Sequence, residues 1–343
     1  MSAVRLETLD SLRGLAALVV VAFHYTTRFQ TAYGHPSPPI LSMPYGYYGV
    51  QLFFAISGFV ILMTLNRVKT GRDFLISRFT RLFPAFWVAV LMTYTVVGIF
   101  GLPEREVGVK DLWVNFTMLS GFLGMRMVDM VYWTLELELF FYLWMFLAYR
   151  LKLLPHIMWV MAVWLLIALA YVLSPRWFGI DLPYRLGLLL IAAHAPFFVL
   201  GVMAYQIWQR RHTAATTPQE QHLRANIRLS ELGLFALGGL ITFMQKPANA
   251  VVYLLVALLM LMFVYDCLRF LQTPLLRYFG AISYTLYLLH ENIGWVVMRG
   301  VYAQGGGTLL AISMAFAVSV VLATLLTRLV EQPVMHYLRQ RWR

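Results

Sequence analysis

Ten stretches of this chain stay apolar for about the thickness of a lipid bilayer, and that decides its fold class. A helix rises 1.5 Å per residue, so a hydrocarbon layer of ~30 Å takes about 20 residues to cross. The stretches are 14–33, 48–65, 82–102, 132–149, 156–174, 186–208, 231–245, 249–266, 279–298 and 308–327. The weakest is 231–245, which is short and contains glycine. The apolar stretch 112–124 is too short to cross and reads as an interfacial or re-entrant piece. Backbone polar groups inside lipid must be satisfied within the segment, so the spans are helices. The sequence therefore predicts an all-α polytopic membrane protein of about ten transmembrane helices, one integral-membrane domain over residues 1–343. Only 12% of residues are charged, against about 25% in soluble domains. Too few residues lie outside the spans for a second, soluble domain.

Lys and Arg give the orientation. With both termini cytoplasmic, 19 of the 27 basic residues fall inside, among them Arg5, Arg13, Arg78, Arg81, Arg224, Arg277 and Arg343. The net charge of +12 then reflects cytoplasmic loops beside an anionic membrane surface, with no nucleic-acid partner expected. The linker 209–230 is the one long polar cytoplasmic loop. The segment 34–47, with four prolines, reads as a stiff outer loop. The tail 328–343 alternates basic and apolar residues, as an interfacial segment does. The basic start and apolar run of residues 1–30 imitate a signal peptide. No small-x-small cleavage site follows, so the first helix is expected to be retained. The single cysteine, Cys267, excludes an intramolecular disulfide.

Within the first span, Arg13 and His24 are eleven residues apart. They differ by ~20° around a helix and ~16 Å along it, and Asp10 lies within ~40° of the same line. One face thus carries an acid and a base at the boundary and an imidazole near mid-depth. An ionisable group in the membrane marks function by default. The competing account is a structural histidine bonded to a neighbouring helix.

Four further constellations carry polar groups into apolar helices. In WTLELELFFY, opened by Trp133, Glu136 and Glu138 are ~200° apart and face opposite sides. In FFAISGF, Ser57-Gly58 lies ~13 Å from the outer end; small residues there permit close helix approach, or line a passage for a bound chain. In RFTRLFP, Arg78 and Arg81 share a face at the inner mouth, as membrane anchors or as forks for phosphate. In ISYTLYLLH, Ser283, Tyr287 and His290 share a face, with His290 ~16 Å in. The depths of His24, Ser57, Glu138 and His290 converge, as a shared polar chamber requires.

The chain resembles the acyltransferase-3 family of bacterial integral-membrane O-acyltransferases. The resemblance rests on LDSLRGLAALVVVAFH with its Arg-x10-His, FFAISGF, RFTRLFP, WTLELELFFY, YTLYLLH and the late Glu331-Gln-Pro333, in the family's order from residue 9 to 333. It implies a ten-helix domain in the bacterial cytoplasmic (inner) membrane. Such a domain moves an acyl group, usually acetyl, from cytoplasmic acyl-CoA to a hydroxyl outside, commonly on a surface carbohydrate or glycolipid. By the same resemblance His24 is the catalytic histidine and Glu138 the essential acid, while Arg13, Arg78 and Arg81 handle acyl-CoA, with Ser57 beside the chain. Asp10, Trp133, Tyr287, His290 and Glu331 are supporting positions. No bound cofactor or metal is expected, acyl-CoA being a substrate, and no extra esterase-like domain of the kind some members carry. Ser11 stands where the family often has glycine, and Glu136 where it often has a small residue.

An alcohol attacks a thioester only as its proton is removed, and neutral imidazole suits that near pH 7. His24 is expected to take the proton, with Glu138 orienting it or relaying the proton; an acyl-His24 intermediate is the covalent alternative. Two rivals remain. A proton-coupled transporter would use His24, Glu138 and His290 as a relay, though no internal repeat of the kind many transporters carry is present. A non-catalytic membrane component would bind lipid or glycan through its basic face.

Overall fold

The computed structural model describes residues 6–212 and 226–341. Arg5, Arg224 and Arg343, residues 213–225 of the linker and the end of the tail lie outside the described residues. Among those described, the regular structure is all helical, with no strand. The principal helices are α1 (Glu7–Phe23), α2 (Gly49–Leu65), α3 (Gly71–Phe100), α4 (Trp133–Arg150), α5 (Ile157–Phe178), α6 (Ala195–His212), α7 (Leu229–Gln245), α8 (Pro247–Val264), α9 (Pro274–Leu289), α10 (Glu291–Ala303), α11 (Thr308–Leu326) and α12 (Gln332–Arg341).

Seven described helical stretches are long and apolar enough to cross a membrane: Glu7–Ala32, Gly46–Leu65, Gly71–Phe100, Met130–Arg150, Leu154–Trp177, Pro247–Val264 and Thr308–Leu338. The other three expected spans differ in specific ways. Leu229–Gln245 is apolar but shorter. The stretch 186–208 divides into Tyr184–Leu189 and α6, and Ile191 between them takes a left-handed φ of 53°. The stretch 279–298 breaks at His290, which ends α9 and opens α10. The short stretch 112–124 holds only the end of a seven-residue helix, Val109–Asn115, followed by turns.

The chain forms two compact units that alternate along the sequence. One comprises residues 1–50, 75–136 and 272–343. Its centre is the crossing of α1 and α9. A Cβ on Gly14 would overlap the Leu276 carbonyl, and one on Gly280 would overlap the Asp10 carbonyl. Two backbones in contact leave no room for side chains there, which is the use of glycine at a helix crossing. Arg277 reaches Glu7 (3.0 Å) and Gln272 reaches Thr8 (2.7 Å) near the start of both helices. The two helices therefore run parallel. The same ten-residue step separates Gly14 from His24 and Gly280 from His290, so the two histidines emerge at one level. α11 closes this unit through Tyr25 and Ser319 (2.6 Å) and through Thr285, which donates to the Ala323 carbonyl (2.9 Å).

The second unit comprises residues 51–74 and 137–271. Here α2 crosses α6 with the same economy: a Cβ on Gly58 would meet the Phe198 carbonyl, and one on Gly201 the Ala55 carbonyl. Phe54, Phe141 and Phe198 stack around that crossing, at 4.7 and 4.4 Å between rings. Tyr253 of α8 packs on Gly238 of α7.

Candidate active site

α1 does not end at His24. The backbone loosens there into a π-helical turn over His24–Arg28, with the Phe29 N–H reaching back five residues to the His24 carbonyl. Such turns re-aim side chains and recur at functional sites. The His24 carbonyl also accepts from Trp295 Nε1 at 3.1 Å, and the next side chain, Tyr25, donates to the His290 carbonyl at 2.8 Å.

The His24 ring is 13% exposed. Its Nδ1 lies 2.9 Å from the Val20 carbonyl and 3.1 Å from His290 Nε2. His290 Nδ1 faces only carbonyls, of Tyr287 at 2.9 Å and Leu286 at 3.2 Å. A carbonyl can only accept, so His290 carries its proton on Nδ1 and offers the lone pair of Nε2. His24 must then hold its own proton on Nδ1. That leaves its Nε2 as the basic nitrogen, and Nε2 faces Glu291 Oε2 at 3.4 Å. The other oxygen of Glu291 pairs with Arg105 Nη2 at 3.1 Å. Arg105 in turn lies over the Trp295 ring, 4.7 Å from its centre, and borders a cavity of about 410 Å³ together with Tyr94, Thr95, Glu106 and Val128. Asp129 anchors the start of α10 by accepting the Asn292 N–H at 3.0 Å.

In the second unit, Ser57 donates to Glu138 Oε1 at 2.8 Å, and Tyr142, one turn along α4, donates to the same oxygen. Glu136 faces elsewhere: it is buried and accepts the Phe122 N–H at 2.6 Å, closing the turn before α4. A Cβ on Gly121 would crowd its other oxygen, Oε2.

The expected site residues thus fall into pairs. His24 meets His290, and Ser57 meets Glu138. Tyr287 shares the face of His290, but its hydroxyl goes to Thr134 (2.9 Å) and the Val131 carbonyl (3.1 Å). Arg81 forms an ion pair with Glu331, which is 2% exposed, and lies over the Tyr284 ring at 5.5 Å. Glu331 sits at the end of a second π-helical turn, Thr327–Glu331. Arg78 donates to Ser77 at 2.9 Å. Asp10 and Arg13 are half-buried on the first turns of α1, and Trp133 opens α4.

Sequence reasoning missed Glu291, Arg105 and Asp129. Glu291 follows His290 directly inside an apolar stretch, so the rule that made His24 a candidate applies to it equally. Arg105 and Asp129 lie in polar connections, where nothing local sets them apart.

Residues 6–328 match the family described as an acyltransferase domain. Among curated proteins the chain is similar to a putative acetyltransferase, ORF330, of Acidianus two-tailed virus, 24% identical over 316 residues that cover 89% of this chain and 87% of the relative. Nodulation protein 10 of Rhizobium leguminosarum bv. viciae is 35% identical over 113 residues, 28% of this chain and 31% of that protein. The peptidoglycan O-acetyltransferase OatA of Listeria monocytogenes is 32% identical over 103 residues, 28% of this chain but 14% of that protein. No solved structure matches. With its motifs in order and nearly its whole length matched, the chain belongs to the acyltransferase-3 family of membrane O-acyltransferases.

Proposed function

We propose that this protein transfers an acyl group, most simply acetyl, from cytoplasmic acyl-CoA to a hydroxyl of a carbohydrate or glycolipid outside the bacterial inner membrane. The observation that carries the reading is the His24 ring. Its Nδ1 is anchored by Val20 and His290, and its Nε2 is the basic nitrogen. In this reading His24 Nε2 takes the hydroxyl proton of the acceptor as the oxygen attacks the thioester carbonyl. The C–S bond breaks, and the CoA thiolate leaves. Anchoring Nδ1 fixes the tautomer that such a base needs.

Glu138 keeps the family's acid position. Ser57 and Tyr142 both donate to one of its oxygens, which fixes the carboxylate for a proton relay. Arg13, Arg78 and Arg81 are assigned to CoA, with Arg81 doing so alongside its pair with Glu331. Ten spans, with both termini in the cytoplasm, are part of the same proposal and rest on the charge bias and the family match. Of the three relatives, one is named a peptidoglycan O-acetyltransferase, which favours a cell-envelope carbohydrate as the acceptor.

A proton-coupled transporter is the second reading, favoured by the direct contact of His24 with His290 and Glu291. Release of free thiol from acetyl-CoA by purified protein separates the two. The transferase releases thiol in step with ester formation on added glycan. Proton movement without thiol release would favour the transporter.

A further inference from the structure

We infer that Glu291, held by Arg105, is the carboxylate partner of His24 on its basic nitrogen, and so positions and stabilises the imidazolium formed during transfer. This rests on reading His24 as the base of the proposed acyltransferase.

Four groups form a closed ring. His24 Nε2 faces Glu291 Oε2 at 3.4 Å, and Glu291 Oε1 meets Arg105 at 3.1 Å. Arg105 lies over Trp295, and Trp295 returns a hydrogen bond to the His24 carbonyl at 3.1 Å. Trp295 thus holds the backbone that carries the imidazole and the guanidinium that holds the carboxylate. Glu291 is 2% exposed. Arg105 holds it through one oxygen at 3.1 Å and leaves the other turned to His24 at 3.4 Å, while the Arg105 cation itself disfavours a second positive charge on the nearby imidazole. When Nε2 gains the acceptor's proton, it becomes a donor facing that oxygen, and the contact becomes charge-assisted. The more familiar arrangement places the carboxylate on the nitrogen opposite the base. Here the opposite nitrogen is occupied by Val20 and His290, and the carboxylate sits on the working one.

The charged and titratable groups around His24 come from every element that packs on it. Arg28 lies on its own turn, His290 at the end of α9 and Glu291 at the start of α10. Arg105 lies in the connection after α3, and Asp129 before α4. Of these, Glu291 is the carboxylate that reaches a His24 nitrogen.

The proposal is tested on full-length protein in lipid nanodiscs, by C2-hydrogen exchange of His24 followed by mass spectrometry over a pH range that extends well below the ordinary histidine value, from about pH 2.5 to 9. The midpoint of that exchange reports the proton affinity of His24 whether or not the protein turns over. Removing the carboxylate in Glu291→Gln is expected to lower the midpoint by about one pH unit or more. Arg105→Gln is expected to raise it. Thiol release is measured in parallel. The expected result for Glu291→Gln is a loss of about tenfold or more in kcat, with an acid limb moved to lower pH and the KM for acetyl-CoA unchanged. A purely structural ion pair would lower the melting temperature and leave the His24 midpoint in place. Unchanged midpoints in both variants overturn the inference. If wild-type protein releases no thiol while the midpoints shift in opposite directions, the pair stands and the acyltransferase reading falls. If Glu291→Gln is not recovered folded, the double variant Glu291→Gln/Arg105→Gln leaves no unpaired charge. Compared with Arg105→Gln alone, it must show the lower midpoint.

Discussion

His24 presents its two ring nitrogens to unlike neighbours, a carbonyl and a second imidazole on one side and a carboxylate on the other. Alanine in its place removes the base together with a mostly buried ring. His24→Ala is therefore expected to lower acyl transfer by about 10²–10⁴-fold, compared at equal membrane abundance of folded protein. The two glutamates of α4 separate in the same way. Glu138→Gln keeps size but loses the charge that Ser57 and Tyr142 hold, and is expected to lose most activity. Glu136→Gln can still accept the Phe122 N–H through its amide oxygen and is expected to keep much of it. Acyl transfer by both variants at equal membrane abundance checks this, and a dead Glu136→Gln would exchange their roles. Much at this level could be read from spacing alone. A 3.6-residue repeat suffices to set Glu136 and Glu138 on different faces and to put Tyr142 beside Glu138. It does not reveal that His24 starts a π-helical turn, because that turn depends on a partner helix supplying Trp295 and His290. Nor does spacing find Arg105, whose partner is 186 positions away.

Helix by helix, the site follows from where backbones touch. Gly14 and Gly280 let α1 and α9 meet without intervening side chains, and equal steps from that contact bring His24 to His290. The glycines stand in the sequence as plainly as the histidines, but the register between two helices is not written in either one. The break at His290 has a similar origin. Its stretch is apolar enough to read as a single span, while the hydrogen bonds that end α9 and start α10 come from tertiary partners such as Asp129. The arginines of α3 divide by their neighbours. Glu331 is 2% exposed, and truncating the partner of a buried ion pair costs about 3–5 kcal/mol. Arg81→Ala is thus expected to lower the melting temperature markedly. Arg78→Ala is expected to weaken CoA binding, more so at low salt, with little change in melting. Differential scanning fluorimetry and CoA titration on the same preparations separate the two effects. Unchanged CoA affinity in Arg78→Ala leaves it as a membrane anchor.

Across the whole molecule, hydropathy is enough to find the seven long spans, since apolar length is set by the bilayer itself. It fails where a span is divided, as at Ile191 and His290, because both halves remain apolar. One connection adds a pH dependence of its own. His35 bonds the Tyr302 hydroxyl at 2.6 Å and faces the Thr26 carbonyl at 3.2 Å. Burial holds its pKa below the ordinary histidine value of 6.5, against the pull of the Thr26 and Tyr25 carbonyls. A lowered value means that the unfolded chain binds the proton more readily. The stability from neutral His35 is therefore complete above about pH 6.5 and is lost as pH falls toward the lowered pKa. Between pH 7.5 and 5, the melting temperature of His35→Gln is expected to fall less than that of the wild type.

The decisive experiment is vectorial transfer in sealed proteoliposomes of known protein orientation. Radiolabelled acetyl-CoA is placed on the side of Arg78 and Arg81, and a cell-wall glycan acceptor on the other. The account predicts ester-linked label on the acceptor with wild-type protein, stoichiometric with thiol release on the donor side, and at least about a hundredfold less with His24→Ala. Label transferred equally well by His24→Ala, or thiol released with no label crossing to the acceptor, would contradict it.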